Sequence, residues 1–493
     1  MACYLLHAGQ PSAKRLLRRV SALQAYSSAS AVGTKDVVLR WGPTRESDPP
    51  QGRILNSARA VARTRSRVAM GRFLRRVGIR AARDRTRGEE EERFQRQFRI
   101  PVFHLTPLAC FRSDAGSAWI NERIQRIQEN FVEVPPDEDR LTRRAVRLAM
   151  RAVHALGLDF GLVSIGQTGK GLLSVLDITP NPVLTGRMLE LFEKAVTDYI
   201  AEETRAPEVY SGVLLGTDME LMLRNSAGKM VLASKYFGRR GPIGCDDRSI
   251  HMDGRRLPLL ELRPEPDTNP LVVVNRLRDL MTEAALTINR RGVQWRAGSM
   301  PFRPFCTGGH IHFSNVPLTG HFVRVLDNYL GLPLMLVENP ETAVLRRPRY
   351  GFLGDVRHKS WGFEYRTPSS FLVDRDVATA AMCLACVLAA HHRDLPVVDL
   401  YDIHLQTAFY RADQAALRQI ALRNLGNLGG LAVFERFRDY IMPLVEMIEQ
   451  GRTWDETVDV RVVWDIPLAK VETGRRKTVR RSQSLVASHP VRG

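Results

Sequence analysis

Residues 308–314 read GGHIHFS. His310 and His312 stand two apart in a short apolar run behind a glycine pair. In a strand, side chains two apart point to the same face. The spacing therefore predicts a strand with His310, His312 and Ser314 on one face and Ile311 and Phe313 on the other. Three more stretches alternate in the same way. In GTDMELML (216–223), Asp218 and Glu220 share a face, with Met219 and Leu221 opposite. In LLELRPE (259–265), Glu261 and Arg263 share a face. In GFEYRT (362–367), Glu364 and Arg366 share a face, with Phe363 and Tyr365 opposite. Alternation of this kind marks half-buried strands of an antiparallel sheet.

A solvated sheet face carries mixed polar residues. This one gathers Asp, Glu, His and Arg almost exclusively. Clustered carboxylates repel one another unless cations sit among them. The arginines supply part of that charge. A divalent ion supplies it better, and carboxylate oxygens are hard ligands suited to Mg²⁺. The face is therefore read as functional. The segment LRRPRYGFLGDVR (345–357) adds Arg346, Arg347, Arg349 and Arg357 around Tyr350 and two glycines. Guanidinium groups bind phosphate oxygens bidentately. Carboxylates for metal and arginines for phosphate point to ATP-dependent phosphoryl chemistry. The sequence holds no GxxxxGK[ST] and no kinase signature set, so neither a P-loop nor a kinase is indicated.

Residues 213–471 resemble the phage phiEco32-type COOH–NH2 ligases, type 2, a group of amidoligases with a glutamine-synthetase-like fold. The resemblance rests on GTDMEL, GCDD (244–247), LELRPEP, GGHIHFS, RRPRYGFLGDVR, GFEYRTPSSFLV (362–373) and WDETVDVRVVW (454–464). The plan is also similar to that of the glutamate–cysteine ligases. The resemblance implies a carboxylate–amine ligase in which ATP phosphorylates a carboxylate and an amine attacks the acyl phosphate. Mapped onto this chain, Glu220, Glu261 and Glu364 hold Mg²⁺ with Asp218 nearby. His310 and His312 meet metal or nucleotide, and Arg347, Arg349 and Tyr350 bind nucleotide. Arg357 and Arg366 neutralise the phosphoryl groups as charge develops, and Asp246 orients the amine or ligates metal. The expected partners are carboxylate and amine substrates, with peptides and cell-wall peptides among the candidates.

Residues 1–207 alternate strand-like and helical runs and form a separate α+β module, with TRAPEVYSG (204–212) as linker. HALGLDFGLVSIG followed by LLSVLDITPNP resembles part of an ATP-grasp domain. Ser164, Asp177 and Thr179 stand where that fold places metal-binding acids and an asparagine. Only Asp177 is a carboxylate, so the module is read as degenerate, a scaffold or docking part. The expected architecture is thus α+β throughout. An ATP-grasp-like domain (1–207) precedes an antiparallel-sheet amidoligase domain (208–471) and a basic, disordered tail (472–493). Finer expectations are one helix over 62–79, a strand over 101–111, a helix over 320–338 and a short strand over 459–464.

The net charge is +19, and it lies at the ends. Residues 1–100 hold 22 Lys/Arg against 8 Asp/Glu, and residues 474–493 hold six Lys/Arg and no acid. The remainder is nearly neutral. No nucleic-acid-binding motif accompanies the basic ends, so no nucleic-acid partner is expected. The segment 1–30, rich in Arg and Ser and free of acids, admits a transit-peptide reading. The helical spacing of AKRLLRRVSAL favours a strand followed by an amphipathic helix. Six sparse cysteines suit a reducing compartment, so a cytoplasmic location is expected. Cys383 and Cys386 fall in the apolar run 377–390, which is too short for a bilayer's ~20 residues and reads as a buried helix. Two other classes compete. HxH on a strand also suits a zinc hydrolase, and the basic ends also suit a non-catalytic binding protein.

Overall fold

The computed structural model describes residues 1–82, 94–114, 117–120, 123–126, 131–169, 171–250, 253–288, 292–347 and 349–467. The basic tail and most of the charged connector between Arg80 and Ile100 lie outside the described residues. The chain is a mixed α/β protein built largely on antiparallel sheets.

Among the described residues, the segment 1–207 contains two larger sheets and a two-stranded antiparallel pair, Ser117–Ile120 with Arg123–Arg126. A parallel one runs in the order Leu23–Ala25, Cys3–His7, Val37–Trp41, Arg53–Leu55. Helix Pro11–Arg19 buries Ala13 and Leu16 beside it. The second sheet is antiparallel, in the order Val132–Val134, Cys110–Asp114, Phe94–Phe103, Phe160–Thr168, Leu173–Thr179. Helix Arg140–Ala155 packs on it through Ala145, Ala149 and Ala152, whose small side chains let helix and sheet approach closely. Trp41 stacks on Phe160 with ring centroids 5.4 Å apart and ties the two sheets together.

Two expectations for this region change. The helix within the run 62–79 is shorter, Arg67–Arg76, and Ala62 ends a separate short helix, Ala58–Ala62. The Ser66 hydroxyl accepts a hydrogen bond from the Ala69 N–H and starts a new helix there, a capping role that outweighs the continuous apolar spacing. The run 101–111 is not one strand. His104 and Leu105 take left-handed φ values of 46° and 57°, and the chain folds back so that Thr106–Pro107 pairs with Val102–Phe103. No glycine marks this turn in the sequence.

The remaining sheet has eight strands. Its main path is Ile243–Cys245, Leu259–Leu262, Leu214–Arg224, Gly309–Ser314, Gly362–Tyr365, Val356–Lys359. Met230–Val231 and Gln294–Arg296 pair with the end of Leu214–Arg224. All these pairings are antiparallel. One face buries Met219, Leu221, Leu260, Leu262, Ile311, Phe313, Phe363 and Tyr365 against helices that include Pro270–Thr287 and Arg375–His391. Each such side chain contributes ~1.5–3 kcal/mol on full burial. A one-residue slip would turn all eight outward, so the register is strongly fixed.

Cys383 is buried in helix Arg375–His391, and no helix among the described residues is long and apolar enough to cross a membrane. The stretch 320–338 is helical but not uniform. A π-helical turn, Asp327–Gly331, joins Gly320–Leu326 to Leu332–Val337. Residues 460–463 form a short helix where a strand was expected. The Asp459 side chain caps it by accepting from the Arg461 N–H, and Trp464 locks it into the core. β-Branched composition misleads here because local capping and burial of the tryptophan decide the conformation.

Candidate active site

The strand register assembles the polar face. Asp218 lies opposite His310, Gly216 opposite His312 and Glu220 opposite Glu261. His312 lies opposite Glu364, which lies opposite Arg357. This face is not wet. Glu220 and Glu364 are fully buried, and Asp218, Glu261 and His310 are each less than 9% exposed. Gly308 makes the close packing achievable, because a Cβ there would overlap the His310 ring. Its N–H donates to Glu220 Oε2 at 2.8 Å.

The carboxylates meet basic side chains on several sides. His310 Nδ1 lies 2.5 Å and His312 Nε2 3.3 Å from Asp218 Oδ1. Lys359 Nζ is 2.9 Å and Arg357 Nη1 3.2 Å from Glu364 oxygens. Arg366 donates to the Tyr350 hydroxyl at 2.9 Å, and that hydroxyl also contacts His310 Nε2. Arg248 bonds Glu220, and Arg263 bonds Glu261. Burial would raise the Asp218 carboxyl, but the charges of His310 and His312 outweigh it and hold the group well below the usual carboxylate range. Glu261 goes the other way. Burial and the neighbouring Asp218 charge push it up to about 9 against the opposing pull of Arg263. Burial likewise lifts the Tyr350 hydroxyl well above its ordinary value, helped by the Glu220 charge.

Three sets of donors are close enough to share an ion. Asp218, His312 and Glu364 form one, Asp218, Glu261 and His310 a second, and Glu220, Asp246 and Glu261 a third. Within each set the ligand atoms lie within 4.8 Å of one another. Asp218 Oδ1, Glu220 Oε1, His312 Nε2 and both Glu364 oxygens are buried without an aligned hydrogen-bond donor or acceptor in the protein. Orphaned oxygens in a buried cluster fit a bound divalent cation.

Eleven of the twelve residues expected from sequence converge here. Asp246 accepts from the Arg248 backbone N–H at 2.9 Å and its Nε at 2.6 Å. Arg349 and Tyr350 line the same cavity as Arg357 and Arg366. Arg347 does not join them. It turns into the core, pairs with buried Glu338 at 2.7 Å and lies over the Phe409 ring. Arg346 is also internal and donates to the carbonyls of Thr307, Thr367 and Pro368. Both sit where helix Pro340–Arg346 ends against the core, so the charge run is split between structural and exposed positions. Arg248 and Lys359 were missed. Arg248 follows Asp246 by two residues in GCDDR, and Lys359 sits two before Trp361 in the adjacent edge strand. Asp177 lies 3.2 Å from Arg67 and belongs to none of the three donor sets.

The site opens into a cavity of 1210 Å³ that helix Arg140–Ala155, from the N-terminal part of the chain, helps to wall. This helix is firmly seated. Buried Asp327, from the π-helical turn, accepts from the hydroxyls of Tyr365 at 2.8 Å and Tyr401 at 2.7 Å, and lies 3.2 Å from His154 Nε2. Gly354, at φ +69°, leaves room for the His154 ring. Arg324 donates to Asp159 Oδ1 at 2.8 Å and to the carbonyls of Gly157 and Leu158.

A family model, phage phiEco32-like COOH.NH2 ligase-type 2, matches residues 215–466, which contain the whole polar sheet face. The chain belongs to this family. No curated protein sequence matches it. Among solved structures it is similar to the ATP-grasp ligase PsnB complexed with minimal precursor, at 11% identity over 41% of this chain and 99% of that one, with TM-score 0.31. It is also similar to a bifunctional glutathione synthetase from Pasteurella multocida, at 12% identity over 52% of this chain and 49% of that one, with TM-score 0.32. A D-alanine-D-alanine ligase from Aeromonas hydrophila gives 12% identity over 42% and 100% of the two chains, with TM-score 0.29. The COOH–NH2 ligase family assignment makes the chain a carboxylate–amine ligase in general class.

Proposed function

We propose that this COOH–NH2 ligase joins a carboxylate to an amine at the expense of ATP, in a Mg²⁺-dependent reaction that passes through an acyl phosphate. The observation that carries the reading is the buried set of Asp218, Glu220, Glu261 and Glu364, with oxygens of Asp218, Glu220 and Glu364 that have no aligned hydrogen-bond partner, at the base of a cavity lined by arginines.

Asp218, Glu261 and Glu364 are the residues that would hold Mg²⁺, with Glu220 and Asp246 beside them and His310 and His312 as nitrogen donors. A bound Mg²⁺ would draw charge from the phosphate oxygens and so favour their transfer. The chain's own residues do the rest. Arg357 and Arg366 face the cavity and offer donors where charge develops on the phosphoryl group. Tyr350 holds Arg366 in place and fixes the His310 ring. Arg248 braces Glu220 and Asp246, which keeps both carboxylates aimed at the floor. Asp246, which lines the cavity, would orient the incoming amine or join the metal ligands. Arg349 lines the cavity where it can meet nucleotide phosphate, and Arg347 stabilises the domain from within.

The domain division belongs to the same proposal. Residues 208–471 form the catalytic domain, and residues 1–207 form a degenerate ATP-grasp-like module that docks on it. Only Asp177 offers a carboxylate at the expected metal positions, and it sits against Arg67. The test is ADP release by the purified chain with Mg²⁺–ATP and pooled carboxylates and amines. Release that depends on both substrates and vanishes in Glu364→Gln supports the reading. Release equal in wild type and variant overturns it.

A further inference from the structure

The cavity carries more positive charge than a nucleotide alone balances. Among the described residues, eleven Lys and Arg and six Asp and Glu line it, and Glu220 lies just beneath its floor. With every carboxylate counted as ionised, the excess among these residues is four positive charges. Mg²⁺–ATP brings about two negative charges. A simple monocarboxylate adds one, and an amine partner adds none.

The placement of the surplus is informative. Arg248, Arg263, Arg357, Lys359 and Arg366 each contact a carboxylate of the sheet side. Arg144 and Arg147, on helix Arg140–Ala155, line the cavity from the opposite wall, and the structure gives neither an acidic partner among the described residues. Three apart on one helix, they share a face, and the opposite face is held in the core by Ala145, Ala149 and Ala152. Burial and the positive charges of Arg357 and Arg366 lower the Arg147 guanidinium, so it looks across the cavity at cations. The helix cannot swing away to relieve this, because His154 is pinned by Asp327 and Tyr401.

We propose that Arg144 and Arg147 form a substrate-binding wall, contributed by the segment 1–207, that grips a polycarboxylate substrate such as an acidic peptide while another of its carboxylates lies over the sheet face. The inference rests on the ligase reading for its activated carboxylate, but the binding wall itself needs no turnover. Guanidinium pairs bind carboxylates bidentately. Two such arginines facing one ligand give both affinity and orientation.

The test is direct binding by calorimetry to the full chain at low salt, with triglutamate, trialanine and Mg²⁺–AMPPNP as separate probes. Wild type should bind triglutamate and not trialanine. Arg144→Gln/Arg147→Gln should weaken triglutamate at least tenfold and shift Mg²⁺–AMPPNP less than twofold. Arg140→Gln/Arg143→Gln makes the same charge change on the same helix at positions that do not line the cavity, and it should leave both affinities unchanged. Equal triglutamate binding by wild type and Arg144→Gln/Arg147→Gln overturns the proposal. So does a loss confined to AMPPNP, which would assign the wall to nucleotide phosphate. If wild type binds triglutamate through these arginines but binds no Mg²⁺–AMPPNP, the wall stands and the ligase reading falls.

Discussion

Glu364→Gln is the most informative single change. The Glu364 side chain is 1% exposed, with Lys359 at 2.9 Å, Arg357 at 3.2 Å, His312 at 3.7 Å and Arg366 at 4.0 Å. At an effective dielectric of ~20, each Lys or Arg pair is worth roughly 4–6 kcal/mol before hydration is counted. Removing one partner of a fully buried pair costs about 3–5 kcal/mol. Here Arg357 is 44% and Lys359 33% exposed, so both regain water when the charge is lost. The net cost should be about 2 kcal/mol, a fall in Tm of roughly 5 °C. Glu364→Ala would cost more, because alanine also opens a hole among these side chains. The glutamine keeps the volume. If Glu364 holds Mg²⁺ as proposed, its loss should lower turnover ~100-fold or more. The assay pairs ADP release with thermal melts with and without Mg²⁺. Wild type should gain stability from Mg²⁺ and the variant should not. A variant that melts a few degrees lower yet turns over within twofold of wild type would refute the reasoning and leave Glu364 as an anchor for its ion pairs.

Four further outcomes are expected. Arg366→Lys loses the bond to Tyr350 and the planar fork, so kcat should fall at least tenfold with Tm nearly unchanged. Asp327→Asn removes the charge that accepts from Tyr365 and Tyr401, so urea unfolding should show a loss of about 3 kcal/mol and earlier proteolysis between the segment 1–207 and the rest. Glu261 keeps its proton up to about pH 9 when folded but gives it up near the ordinary value of 4.5 when unfolded. The metal-free protein should therefore lose stability as pH rises between those limits, and Glu261→Gln should flatten the slope in melts across pH 5–9. Metal analysis of protein purified without chelator should find no stoichiometric zinc; one tightly held zinc per chain would favour the hydrolase alternative.

Much of the site can be read from local sequence because a strand's side-chain period is fixed at two. Once GTDMELML, LLELRPE, GGHIHFS and GFEYRT are strands, Asp218, Glu220, Glu261, His310, His312 and Glu364 must lie on their polar faces whatever the rest of the chain does. Their pairing in one sheet is long-range, but the apolar residues between them leave one register that buries Met219, Ile311 and Phe363 together. Sequence also places the basic surplus at the ends and the cysteine pair in a core helix. Other features belong to the tertiary structure alone. Arg347 and Arg349 are two apart in one charge run, yet one pairs with Glu338 in the core and the other lines the cavity. Arg248 joins the site through a loop whose path depends on what packs around it. Arg144 and Arg147 look like any solvated helix face until His154, further along the same helix, is locked to Asp327 and Tyr401. Period is a property of the backbone and survives in any context. Which side of a helix or loop meets a site depends on contacts between residues far apart in sequence, and only the folded chain brings those together.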